Sequence, residues 1–317
     1  MHNPDPWESI QQAHKAETLS MRRVDASHPL DFFWARNDTG ARLLLLKWEG
    51  AVPREPEVPQ VRGVGIEQAA NSLKLILINA DDQNIFHVLC QDLIDSTRSI
   101  SMADRAVEVI FTRLGKWQRL LGRKRKGLLD EFAIRGLLAE LWFLRTEMID
   151  RFGAEAIDLW TGPEGTPQDF QLGAACIEIK SRSVSGAPVL QISSAEQLWS
   201  EFSDVYLGVY SVGQQPKGSG GLSLRELVDS IRGRLMMEPR AEQFELKLLD
   251  AGYMDLPEYL VKEYAISDLR TYEVKDGFPR LVPPGIPDGV LSVNYQIHLE
   301  SCEPYSVRVD FNELARS

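Results

Sequence analysis

The stretch that decides the fold runs Gln168-Asp-Phe-Gln-Leu-Gly-Ala-Ala-Cys-Ile-Glu-Ile-Lys180. It holds two β candidates, Asp169–Leu172 and Ala174–Lys180, joined through Leu172-Gly173-Ala174, which suits a tight hairpin. Side chains alternate along a strand, so Glu178 and Lys180 share one face while Ile177 and Ile179 point to the other. The hairpin brings Asp169 beside the first pair. Two carboxylates and an ammonium converging on one sheet face make a poor core. They suit a hard cation, which takes oxygen ligands, with a positive group next to it.

Upstream, Leu128–Arg151 reads as a strong helix. Ile134, Leu137, Leu138, Leu141, Leu144 and Met148 follow the i, i+3, i+4, i+7 spacing, and Gly153 supplies a stop. Glu140 falls at the edge of that apolar stripe, from which it can reach a neighbouring sheet. Ala156–Trp160 is a further β candidate, followed by the turn-rich Gly162-Pro163-Glu164-Gly165. Downstream come a strand at Val189–Ile192, a short helix at Ser194–Phe202 and an apolar strand at Val205–Val212. The order α-β-β-β-(β)-α-β predicts an α/β (α+β) core, a mixed sheet flanked by helices.

The flanks differ from this centre. Residues 1–115 read as a β-rich unit: Asp31–Arg36 and Ala41–Trp48 form a hairpin round Asn37-Asp-Thr-Gly, and Ser72–Ile78 is a further β run. Helices are expected at Asn84–Ser96 and Ala103–Leu121. After Gly213 a Gly-rich loop lacks the GK[ST] ending of a phosphate-binding loop. Helices at Leu222–Met237 and Arg240–Ala251 follow, and then a strand-rich region, Tyr264–Glu300, in which Leu291–Leu299 alternates cleanly. Three units are expected: 1–115, a core at 116–212, and an extension at 213–317 packing on that core.

Composition narrows the function classes. The chain has 317 residues, 44% hydrophobic and 26% charged, as expected of a soluble globular protein. Cys90, Cys176 and Cys302 are far apart and the five histidines are scattered, which argues against a His/Cys metal site, a disulfide framework or a Ser-His-Asp triad. No apolar run is long enough to span a membrane and no secretory signal is visible, so a cytoplasmic protein without membrane association is expected. The net charge of −11 argues against a simple basic nucleic-acid binder. The acidity is uneven: from Ala241 onward seven Lys/Arg face fourteen Asp/Glu, a local −7, whereas Lys116, Arg119, Arg123, Lys124, Arg125 and Lys126 cluster. That basic run reads either as a solvated loop or as a contact to a phosphate backbone.

Asp169, nine residues and a turn, then Glu178-Ile-Lys180, resembles the PD-(D/E)XK phosphodiesterase signature. Gln168 stands where the signature has proline. Glu140, in Gly136-Leu-Leu-Ala-Glu140-Leu, matches the helical acidic residue that precedes the signature in many members. Val189-Leu-Gln191-Ile-Ser193-Ser-Ala-Glu-Gln197-Leu resembles the segment that supplies polar substrate-positioning residues, represented here by Gln191. The pattern is also similar to a bacterial family of unknown function within this superfamily, encoded near restriction-modification and phage-defence genes.

The resemblance implies a restriction-endonuclease-like core and a Mg²⁺-dependent DNA endonuclease, with Mn²⁺ as a substitute. Asp169 and Glu178 would ligate the metal, Glu140 would support it, and Lys180 would assist attack on the phosphodiester. DNA, other defence-system proteins and a second copy of the chain are the implied partners. The alternative is an inactive subunit of the same fold that binds DNA or a protein. Residue by residue, Glu140 can equally be a solvated helix residue, Asp169 a turn acceptor, Glu178 and Lys180 a surface pair, and Gln191 a partner of backbone groups. Trp142, Phe143 and Trp160 read as core aromatics.

Overall fold

The computed structural model describes residues 5–49, 59–122, 129–201 and 203–316. The chain divides into two compact units, residues 1–128 with 254–256, and residues 129–253 with 257–317.

In the first unit five antiparallel strands, β1 (Leu19–Arg23), β2 (Asp31–Asn37), β3 (Arg42–Lys47), β4 (Val64–Ala69) and β5 (Ser72–Leu77), form a sheet in the order β1-β2-β3-β5-β4. The expected hairpin is β2–β3, and its turn is closed by the Asn37 side chain, which accepts the Ala41 N–H at 2.8 Å. Leu43–Leu46 in β3 are buried on both faces, as a central strand requires. The edge strands β1 and β4 differ from the sequence expectation, because their more polar sequences become strands by pairing with a neighbour. Helices α1 (Gln83–Ser96) and α2 (Ala103–Gly122) follow. Lys116 and Arg119 of the basic run lie on α2, and residues 123–126 lie outside the described residues.

The second unit holds the mixed sheet. Its strands are β6 (Phe170–Leu172), β7 (Ala175–Ser183) and β9 (Asp204–Gln215), joined by β10 (Glu263–Ile266) and β11 (Arg270–Glu273). β7 and β9 are parallel and the other pairs antiparallel, in the order β10-β9-β7-β6 with β11 also on β9. Segments from beyond residue 213 thus complete the sheet that carries the 168–180 hairpin. A two-stranded ribbon, β8 (Val189–Ile192) with β12 (Tyr295–His298), packs on one face through Leu190, Ile192 and Ile297 against Cys176, Val205, Leu207 and Val209. These belong to the same alternating set as Glu178 and Lys180, because β7 and β9 pair Cys176 with Val205, Glu178 with Leu207 and Lys180 with Val209.

Helix α3 (Glu131–Phe143) is capped by Asp130, whose carboxylate accepts the Ala133 N–H at 2.8 Å. The expected helix then changes pitch, with a π-helical turn over Leu144–Ile149 before it ends at Gly153, φ +60°. Ala156–Trp160 is not a strand. Ala156–Leu159 form a one-turn helix, α4, and only Trp160 bridges to Phe170. Helical turns over Gly153–Glu155 and Ala156–Leu159 take up the chain before that bridge, with Ala156 and Ile157 buried. Helices α5 (Leu224–Leu235) and α6 (Ala241–Asp250) fall where expected. Among the described residues the alternating 291–299 run pairs only over Tyr295–His298, and Leu291, outside that pairing, is 99% exposed.

Candidate active site

Glu178 sits mid-strand on β7 and is sealed, with 1% of its side chain exposed, while Lys180, two residues on, keeps 14%. Their charged ends meet at 2.6 Å through Glu178 Oε1. The second oxygen, Oε2, is buried without a hydrogen-bond partner. An unpartnered buried carboxylate oxygen is costly, so a missing positive or donor group is implied.

Asp169 arrives at this point because regular β6–β7 pairing stops at Phe170 opposite Ile177. Its own N–H donates to Ile177 O at 3.1 Å, and its Oδ2 accepts the Ile179 N–H at 2.7 Å. Backbone and side chain of Asp169 therefore bracket Glu178. Behind it, Thr161 and Gly162 N–H groups donate to Asp169 O at 2.8 and 3.0 Å. The approach is so close that a Cβ on Gly162 would lie 2.9 Å from Asp169 Oδ1. Glu140 comes from α3, which packs on β7, and its Oε2 accepts the indole N–H of Trp160 at 3.0 Å.

Trp160 is fully buried and is itself held from behind. The buried Lys247 on α6 donates to the carbonyls of Ile157, at 2.8 Å, and Trp160. Trp160 is thus a core aromatic, as expected, and also the group that orients Glu140.

The electrostatics follow from burial. Glu140 is pushed well up from the ordinary carboxylate range by burial and then by Asp169. Burial raises Asp169 to about 6 against the opposing pull of Lys180 and the Ile179 N–H, and raises Glu178 to about 8 with Asp169 adding to it. Burial disfavours the Lys180 ammonium, but Glu178, Asp169 and Glu140 outweigh it and lift its pKa. Three carboxylates against one ammonium leave the fully ionised set two negative charges in surplus.

The donor set fits a divalent cation. Each carboxyl has one oxygen engaged, by Trp160, by Ile179 N–H or by Lys180, and one without a hydrogen bond among the described residues. Mg²⁺ keeps several waters and needs only one or two carboxylates. As they stand, no three His, Cys, Asp or Glu among the described residues are grouped to hold an ion together.

Glu140, Asp169, Glu178 and Lys180 therefore form one electrostatically linked group. Gln191 stands apart from it. Its amide donates to Tyr295 O at 3.1 Å and to Asn294, and its carbonyl accepts from Gln296 at 2.9 Å, all in the β8–β12 ribbon. The glutamine that touches the group is Gln197. Its Oε1 accepts from Lys180 Nζ at 2.9 Å and from Ser193 N–H at 2.8 Å. Nothing in the sequence separates the two glutamines, because the 3₁₀ turn Ala195–Leu198 that aims Gln197 is itself held from outside. It is held by Gln168, whose buried amide donates to the carbonyls of Glu196, at 2.5 Å, and Trp199, at 3.0 Å. Proline, which the signature has at this place, offers no such donor.

The mixed sheet with α3 against it, and an acidic hairpin ending in Glu178-Ile-Lys180, define a nuclease-like fold of the PD-(D/E)XK class. A model of the family described as "Putative PD-(D/E)XK family member, (DUF4420)" matches residues 4–300, and the chain belongs to that family. No curated protein and no solved structure matches it. No helix among the described residues is long and apolar enough to cross a membrane.

Proposed function

We propose that this chain hydrolyses phosphodiester bonds in DNA, as an endonuclease, with Mg²⁺ held by Asp169 and Glu178 and supported by Glu140, and with Mn²⁺ able to replace it. The setting we propose is a restriction or phage-defence system. One observation carries the reading: three carboxyls that act on one another electrostatically, each with an oxygen free of hydrogen bonds among the described residues, lie beside Lys180 and, when all are ionised, exceed its charge by two. A divalent cation bound there supplies charge for the phosphoryl oxygens and lowers the pKa of a coordinated water.

The chain's own groups do the rest. Ile179 N–H and Trp160 Nε1 fix the orientations of Asp169 and Glu140, so these carboxylates need little rearrangement on binding. Gln197 gives Lys180 a neutral partner, which keeps the ammonium in place when Glu178 turns to another charge. Lys180 then stabilises the negative charge that develops on the phosphate as water attacks and the leaving oxygen departs.

A second reading, an inactive subunit that binds DNA or a protein, has one observation in its favour. Lys180 already lies 2.6 Å from Glu178, as in a self-sufficient ion pair. Calorimetric titration of Mg²⁺ and Mn²⁺ into wild type and Asp169→Ala, beside plasmid cleavage, separates the two. Metal binding lost in the variant together with wild-type cleavage supports the nuclease. Wild type that binds neither metal supports the inactive subunit.

A further inference from the structure

Two arginines near this site lack the acidic partner that others in the same unit have. Arg151, Arg225, Arg232, Arg234, Arg240 and Arg270 each form an ion pair. Among the described residues Arg182 and Arg280 form none, in a chain with eleven negative charges in excess. Arg182 follows Lys180 by two residues on β7, on the same face and about 6.6 Å along the strand. Its Nε donates to Ser211 Oγ at 3.0 Å, in register across β9.

Arg280 donates through Nη1 to Leu198 O at 2.7 Å, next in sequence to the Gln197 that holds Lys180. The following N–H, that of Leu281, donates to Tyr295 Oη at 3.2 Å. The positive charges of both Arg280 and Lys180 bear on that phenol, which places all three in one neighbourhood.

Both guanidiniums are anchored by neutral oxygens, a hydroxyl for Arg182 and a backbone carbonyl for Arg280. Among the described residues neither has a buried nitrogen without a partner, and both side chains are half-buried, so part of each remains open to solvent. A rigid, charged fork held on one side and open on the other suits a phosphate oxygen pair. Spacing along β7 is on the scale at which successive phosphates of an extended strand follow one another.

We propose that Arg182 and Arg280 are backbone-phosphate contacts of this site, gripping the nucleic acid beside Lys180 without reading its sequence. This rests on the nuclease reading and names how its substrate is held. They are positioning residues, since their task is to bind the chain that is cut and not to act at the bond that breaks.

The test uses the full chain with Ca²⁺ in place of Mg²⁺ and two short fluorescein-labelled duplexes of unrelated sequence. Dissociation constants are measured across a salt series for wild type, Arg182→Gln, Arg280→Gln, the two Lys variants, and Arg234→Gln as a charge control on α5. Each Gln variant is expected to weaken both duplexes by the same factor and lower the salt slope by about 1, while the Lys variants and Arg234→Gln keep the wild-type slope. In Mg²⁺, KM for cleavage should rise with kcat unchanged. Thermal melts confirm that the variants fold. Wild-type affinity and slope in both Gln variants would overturn this inference and leave the nuclease reading standing. Wild type that binds neither duplex would overturn both.

Discussion

Each unit of this chain buries an ion pair, and the two are built differently. In the first, Asp92 of α1 accepts from Arg113 Nε at 2.8 Å and from Arg113 Nη2, and Trp117 Nε1 adds a bond at 2.9 Å. Arg113 is 3% exposed, so a two-pronged contact and an indole close the pair. In the second, Glu178 meets Lys180 by one oxygen, leaves the other without a partner, and has two further carboxylates beside it. A buried ion pair adds little stability unless its remaining lone pairs are satisfied. The Asp92 pair ties two helices together. The Glu178 pair leaves one carboxylate oxygen buried without a hydrogen bond.

The largest expected effect breaks the closed pair. Asp92→Ala removes the two-pronged contact to a buried guanidinium and should cost about 3–5 kcal/mol of stability. Glu178→Gln, by contrast, should leave the cation-free protein as stable or more so. Chemical denaturation of both variants measures the contrast, and equal losses would erase the distinction. Next comes turnover: Lys180→Ala should lower the cleavage rate about 10²–10³-fold with the melting temperature held. Intact cleavage would remove Lys180 from the reaction.

The open pair should also make stability depend on pH. In the folded, cation-free protein Glu178 titrates at about 8 and Asp169 at about 6, against about 4.3 and 3.9 in an unfolded chain. The folded state then binds more protons than the unfolded state, so stability falls as pH rises from about 4 to about 8. Melts in a chelating buffer should show this decline, Glu178→Gln should make it shallower while Glu140 still contributes, and Mg²⁺ should offset it at the alkaline end. A flat wild-type profile would mean that the carboxyls are not held as described.

Smaller effects probe the supports. Gly162→Ala puts a methyl group against Asp169, 2.9 Å from Oδ1, and should weaken metal binding about tenfold by calorimetry. Gln197→Ala removes the neutral partner of Lys180 and should cost about 1 kcal/mol. It should also slow cleavage less than Lys180→Ala does.

The amino-acid sequence by itself determined the acidic hairpin, because a period of two puts Glu178 and Lys180 on one face whatever surrounds them. The helix that carries Glu140 was legible for a similar reason, from its 3.6-residue apolar period and its stop at Gly153. Only the tertiary structure decided which glutamine touches Lys180, since Gln191 and Gln197 have the same chemistry and only Gln197 lies on a turn that Gln168 clamps. The departure from proline at 168 looked neutral in sequence and is a structural bond in the fold. Likewise Trp160 reads along the chain only as a core aromatic, and packing alone sets its indole against Glu140 and Lys247 against its carbonyl. Periodicity acts within a segment and can be read along it, whereas the partners of a polar side chain come from distant segments and exist only once those segments pack.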